Sequence, residues 1–273
     1  MKIDLRGRVN ESFEPVFSSH ARDLVVYGGA GAGKSWAAAQ KLILKCYKYP
    51  NRKVLITRKY GPSLKLTCFK LVKDDLLSAY NLPHTVNLTE MSIGFPNGSQ
   101  MLFIPIVESG PSKEPAARIK SLTDVTDIWF EEPTELSFKE YQQVSLRLRG
   151  RELKEGYRQR IYTFNPIDKN HWIHAHFFDK DRGERYKFTY KDNKFIEQAY
   201  IDELEALKEI DERLYKIYAL GEWGILGGQI ITNYEVREFD FDPKIYDIVI
   251  GACDFGFEHP STFNLIGLKE KEA

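Results

Sequence analysis

The chain has 273 residues, 42% hydrophobic and 29% charged, with zero formal net charge, a composition ordinary for a soluble protein with a sizeable core. No apolar stretch approaches the roughly 20 residues that span a bilayer, and residues 1–15 lack the apolar centre of a signal peptide. Cys46, Cys68 and Cys253 fit neither a disulfide framework nor a zinc spacing and read as free thiols of a reducing cytoplasm. Residues 1–70 carry 14 Lys/Arg against 4 Asp/Glu, and residues 201–273 carry 7 against 16; a basic first quarter is compatible with phosphate or nucleic-acid contact.

Leu24-Val25-Val26-Tyr27 reads as a buried strand and Trp36 to Tyr47 as a helix. Between them, Gly28-Gly29-Ala30-Gly31-Ala32-Gly33-Lys34-Ser35 matches the phosphate-binding loop G-x-x-x-x-G-K-[ST]. Glycines let successive backbone N–H groups turn inward toward phosphate oxygens. The helix N-terminus adds partial positive charge. Lys34 would reach the β- and γ-phosphates, and the Ser35 hydroxyl would ligate Mg²⁺. Phe13 and Phe17, ahead of the loop, read as core anchors more than as neighbours of an adenine ring. The run "MSIGFPNGSQMLFIPI" predicts a hairpin turning at Pro96-Asn97-Gly98.

Ile128-Trp129-Phe130 predicts a buried strand that delivers Glu131 and Glu132 to its C-terminal tip, beside the phosphate loop in a parallel sheet. Glu131 would hold the Mg²⁺ shell and Glu132 would act as general base on the attacking water. Such a pair favours hydrolysis over transfer to a metabolite. Ile161 to Phe164 is another strand, stopped by Pro166. It leaves Asn165 near the sheet edge, where its amide could sense the γ-phosphate.

The phosphate loop, the Glu-Glu pair and "TFNP", in that order, make the sequence resemble the large terminase subunit of tailed bacteriophages. The likeness extends through "VLITRKYGPSLKLTCFKLV", "RIKSLTDVTDIWFEE", "NHWIHAHFF", "YKDNKFI" and "LGEW". The resemblance implies an α/β fold: an ASCE-type P-loop NTPase core with a mainly parallel sheet flanked by helices, then a nuclease domain with an RNase H-like fold. It implies ATP with Mg²⁺ as ligands, and Mg²⁺ or Mn²⁺ for the nuclease. It further implies double-stranded DNA as substrate, a ring of identical subunits, the portal protein and small terminase subunit as partners, and a site of action at the procapsid portal in the host cytoplasm, away from membranes. Many relatives carry Arg in the loop where this chain has Ala30. An arginine at the γ-phosphate contributes about 10³- to 10⁵-fold in rate, so the charge must come from elsewhere. Arg118 is the candidate, acting across a subunit boundary, with Arg58, Arg147 and Arg149 as competitors. The alternative is a helicase-like P-loop ATPase on nucleic acid, but a second RecA-like domain has no room. A metabolite kinase or a non-catalytic adaptor fits less well.

Along the chain, residues 1–167 read as the ATPase core and 168–226 as a helical lid, with Ile196, Tyr200, Leu204, Leu207, Leu214, Ile217 and Tyr218 near helical spacing. Residues 227–273 read as a linker at Gly227-Gly228 and an incomplete nuclease domain. There Ile248 to Cys253 predicts a buried strand ending at Asp254, the family's first metal-binding acid. Two-metal cleavage needs several carboxylates, and only Glu258, Glu270 and Glu272 follow. The chain is therefore expected to be a fragment without nuclease activity. His171, His174 and His176 lack a metal-site spacing and read as part of a helix start with packed aromatics.

Overall fold

The computed structural model describes residues 7–107, 117–150, 152–224, 241–254 and 262–269. The chain divides into two compact units, residues 1–227 and 228–273.

In the first unit α1 (Glu14–Ser18) leads into β1 (Asp23–Gly28), the phosphate loop and α2 (Lys34–Lys48). Next come β2 (Lys53–Thr57) and α3 (Gly61–Leu64), which continues as wider helical turns over Lys65–Phe69 and Leu71–Ser78. β3 (Thr85–Asn87), β4 (Ser92–Gly94) and β5 (Gln100–Phe103) form a meander. The hairpin turns where expected, at Gly98, whose φ of 82° suits a residue without a Cβ. Then follow α4 (Ala117–Ser121), β6 (Asp127–Glu131), α5 (Phe138–Ser145), β7 (Gln159–Phe164) and β8 (Glu184–Phe188). A helical turn at His174–Asp179 precedes β8, and α6 (Gln198–Ile210) and α7 (Glu212–Leu214) follow it. The described strands of this unit make one sheet of order β3-β4-β5-β2-β6-β7-β1-β8. All its pairs are parallel except β3/β4 and β4/β5.

Strand periodicity sorts the core into two layers. Leu24, Val26, Val54, Ile56, Trp129 and Ile161 pack beneath α1 and α2. Val25, Leu55, Ile128, Phe130, Tyr162 and Phe164 pack on the other face, with Tyr141 and Val144 of α5 and Phe177. This is the parallel α/β sandwich that the sequence predicts.

Two expectations need correction. β7 lies between β6 and β1. Hence Asn165 follows an inner strand, not one at the sheet's edge. Residues 168–226 do not begin as a separate body, since β8 pairs with β1 over Leu24–Gly28 and completes the sheet. After β8 the segment is helical over Tyr190–Asp192, α6, α7 and the turn Tyr215–Ala219, and its small core holds Tyr190, Leu204, Tyr215 and Ala219. Tyr200 and Tyr218 are exposed on it rather than packed inside.

In the second unit β9 (Ile248–Asp254) pairs antiparallel with β10 (Thr262–Leu268). β9 is a strand as expected, but Ile248, Val249 and Ile250 are exposed: among the described residues of this unit the two-stranded ribbon has no second layer packed on it. Gly227-Gly228, Glu258, Glu270 and Glu272 lie outside the described residues.

At the end of the sheet away from the phosphate loop, Asp127 is fully buried. It accepts hydrogen bonds from Lys45 Nζ at 2.5 Å, Arg52 Nη2 at 2.6 Å and Thr126 Oγ1 at 2.8 Å. One carboxylate thus compensates two buried cations. Asp127→Ala leaves both uncompensated and should lower unfolding stability by about 3–5 kcal/mol, read as a reduced midpoint in urea denaturation.

Candidate active site at the phosphate loop

β1 ends at Gly28 with φ 141°, a conformation that side chains rarely adopt. A Cβ there would meet the Phe188 carbonyl oxygen at 1.7 Å. The loop can therefore leave the sheet only because this position is glycine. Lys34 opens α2 and is buried. Its ammonium donates to the Gly29 carbonyl at 2.6 Å, the Gly28 carbonyl at 3.1 Å and Asn165 Oδ1 at 2.7 Å. Burial pushes Lys34 down to about 8, against the pull of Glu132 and Glu131.

Asp127, Trp129 and Glu131 alternate onto the face of β6 that meets α2. Ser35 Oγ donates to Glu131 Oε1 at 2.7 Å. Thr163 Oγ1 donates to the other carboxylate oxygen and itself accepts from Trp129 Nε1 at 2.6 Å. Burial raises Glu131 above the usual carboxylate range, opposed by the Thr163 and Ser35 hydrogen bonds. Glu132 lies one residue past the strand, with φ 48° and ψ 56°. Its backbone N–H donates to the Thr163 carbonyl at 2.9 Å. Burial and the neighbouring Glu131 push Glu132 up to about 7, with Lys34 and Arg58 pulling the other way.

The structure thus gathers Lys34, Ser35, Glu131, Glu132 and Asn165 at the C-terminal ends of β1, β6 and β7. Thr163 and Trp129 belong to the same network and carried no assigned role in the sequence reading. Their signal was present: residues 161 and 163 share the alternation of 129 and 131. Arg118 is not brought to this pocket. It stands exposed on α4, with Nη2 donating to Glu90 Oε2 at 2.7 Å. Arg147 donates to the Gln143 and Lys120 carbonyls, and Arg149 is exposed. Arg58 is held by Glu135. Asp254 ends β9 in the other unit.

The helical turn after α7 and the segment between β8 and α6 also touch the loop. Ala30 N–H donates to the Tyr218 carbonyl at 2.7 Å, and Asn193 Nδ2 donates to the Gly31 carbonyl at 2.7 Å. Neither contact has a signal in sequence, since more than 150 residues separate the partners. Beside the loop, a cavity of about 480 Å³ is lined by Arg8, Asn10, Phe13, Trp36, Gln40 and Phe195, among others. Phe13 is both core anchor and cavity wall: it is buried, with its ring 4.1 Å from that of Phe188.

Residues 20–222 match the family described as phage terminase large subunit. The chain belongs to that family. It is similar to the PBSX phage terminase large subunit of Bacillus subtilis (strain 168), with 27% identity over 278 residues, covering 92% of this chain and 62% of that protein. It is likewise 27% identical over 276 residues to the large terminase subunit of Bacillus phage SPP1, covering 92% and 63%. The chain therefore spans under two thirds of the length of both relatives. Among solved structures, the large terminase of a thermophilic bacteriophage superposes with a TM-score of 0.65 at 17% identity, covering 95% of this chain and 65% of that one. That phage protein has also been solved in complex with ADP and with ATP-γ-S. The Thermus phage P74-26 large terminase ATPase domain superposes with a TM-score of 0.53 at 12% identity, covering 76% and 90%. These likenesses show the terminase ATPase fold.

Gly221 packs so closely on the loop that a Cβ would come within 2.4 Å of Gly28 and Gly29 backbone atoms, and its φ is +61°. Gly221→Ala should therefore push the turn off the loop. The expected result is a stability loss of about 1–3 kcal/mol and faster hydrogen exchange at the Ala30 amide.

Proposed function

We propose that this terminase chain hydrolyses ATP as the motor subunit that translocates double-stranded viral DNA into a procapsid. The observation that carries the reading is the convergence of one ammonium, one hydroxyl and two carboxylates on a glycine-rich turn. In this reading Gly28 to Gly33 and the start of α2 present amides to the phosphates, and Lys34 leaves its carbonyl partners for the β- and γ-phosphate oxygens. The cavity lined by Trp36 and Gln40 takes the base.

Ser35 Oγ and Glu131 Oε1, 2.7 Å apart, offer two hard oxygens, the donor set that Mg²⁺ takes while phosphates and water complete its shell. Bound there, Mg²⁺ supplies charge neutralisation on the phosphate oxygens. Thr163 fixes the orientation of the Glu131 carboxylate. Glu132 accepts the proton of the attacking water, and the burial that raises its affinity for a proton suits that task. Asn165, already on Lys34, senses loss of the γ-phosphate, and the Tyr218 contact on Ala30 passes the change to the helical lid.

Arg118 is proposed as the finger that reaches a neighbouring subunit's nucleotide in an assembled ring; its exposed place on α4 supports this. The portal protein and small terminase subunit are proposed as further partners, acting with it at the procapsid. For the second unit we propose the opening of an RNase H-like nuclease, with Asp254 as its first metal-binding acid.

Lys34→Ala should abolish ATP turnover, and Glu132→Ala should lower kcat by about 10²- to 10⁴-fold; retained turnover in both contradicts the site. The base must be deprotonated to act, so kcat/KM should fall as pH drops through about 7, the Glu132 value. A fall only near pH 4 would show that the working site holds Glu132 in the ordinary carboxylate range. Arg118→Ala should preserve nucleotide affinity yet slow the assembled ring about 10³-fold or more; equal assembled rates exclude it.

A further inference from the structure

Arg58 immediately follows β2, and its backbone carbonyl accepts from Ile106 N–H at 3.0 Å. Its guanidinium grips Glu135: Nη2 lies 2.8 Å from Oε1, and Nε lies 3.2 Å from Oε2 and 3.3 Å from Oε1. Both side chains are partly buried, 18% and 28% exposed, so the pair is shielded more than a surface ion pair is.

Glu135 closes the single turn that carries Glu132. Its N–H donates to the Glu132 carbonyl at 3.0 Å, across Pro133 and Thr134. Glu132 itself sits in the left-handed region, which is unfavourable for any residue with a Cβ. Such a conformation persists only where its surroundings impose it. Three contacts do so. Glu132 N–H holds the Thr163 carbonyl on the strand side. Trp172 Nε1 donates to the Leu136 carbonyl at 2.6 Å on the far side. Between them, the Arg58–Glu135 pair ties the turn to the tip of β2.

The arrangement has a second consequence. Besides Glu135, the carboxylates whose charge acts on Arg58 are Glu132 and Glu131. Freed from Glu135, the guanidinium would turn to them, and an Arg58–Glu132 pair would occupy the carboxylate that must take a proton.

We propose that Arg58 is a positioning residue for Glu132, and that Glu135 both anchors it and keeps it off the Glu132 carboxylate. This rests on the ATPase reading of the site. It also withdraws Arg58 from the arginines free to reach a neighbouring subunit.

The test compares ATP turnover, ATP-γ-S affinity and thermal midpoint in Glu135→Gln, Arg58→Ala, Arg58→Lys and the double variant Arg58→Ala/Glu135→Gln, with Lys34→Ala alongside. Glu135→Gln should lower kcat about 10- to 100-fold, the scale of a misplaced catalytic group, with affinity within about twofold and an unchanged midpoint. The double variant should be faster than Glu135→Gln alone, because the stray cation has gone. Arg58→Lys should retain more turnover than Arg58→Ala. Unchanged kcat in the single variants overturns the proposal. So do affinity losses that parallel kcat, or a double variant no faster than Glu135→Gln. Turnover that survives Lys34→Ala overturns the ATPase reading and this proposal with it. Turnover lost in Lys34→Ala but intact in every Arg58 and Glu135 variant overturns the proposal alone.

Discussion

One helix is fastened along one strand at both ends. At the top, Ser35 Oγ meets Glu131; at the bottom, Lys45 Nζ meets Asp127. Ten residues of helix rise about 15 Å, and four residues of strand span about 13 Å. The two tethers are therefore in register without distortion. This match lays α2 antiparallel to β6 and brings the phosphate loop, fixed to the start of α2, over the acids at the end of β6. Removing either tether leaves a buried charge or hydroxyl without its partner, so fold and site depend on the same alignment.

The inserted strand β7 completes the arrangement. It lies between β1 and β6 and carries Thr163 and Asn165 to the same C-terminal end of the strands. Thr163 orients Glu131, and Asn165 meets Lys34. The pocket holds opposite charges at a cost in lost hydration: burial lowers Lys34 and raises both glutamates. A ligand of dense negative charge with its cation compensates both sides at once. The Gly28 and Gly29 carbonyls that hold Lys34, and the Tyr218 carbonyl that holds Ala30, occupy the donors a triphosphate would use. Nucleotide binding in such a pocket must exchange protein acceptors for phosphate, which links the pocket to the turn before Gly221.

Much of this was legible in the sequence because it is local. The glycine run, Lys34 and Ser35 stand within eight positions, and Ile128 to Phe130 is apolar on both faces, as a central strand must be. Adjacent strands were harder to name: nothing in residues 159–164 states that β7 inserts between β1 and β6. β8 escaped because Glu184, Arg185 and Lys187 make it polar, as an edge strand allows, so residues 168–226 read as helical throughout. The contacts of Tyr218, Asn193 and Gly221 with the loop depend on tertiary placement alone. β9 reads as buried from its apolar run, yet among the described residues nothing packs on it; an apolar run signals burial only where a second layer is present.

The account turns on whether this pocket is a triphosphate cradle. A crystal structure of the chain with ATP-γ-S and Mg²⁺ tests that directly. The prediction is a γ-thiophosphate in hydrogen-bond reach of Lys34 Nζ, with Ser35 and Glu131 around the metal and Glu132 facing the in-line water. Nucleotide bound elsewhere, or a loop left bare with Lys34 still on the Gly28 and Gly29 carbonyls, would contradict it.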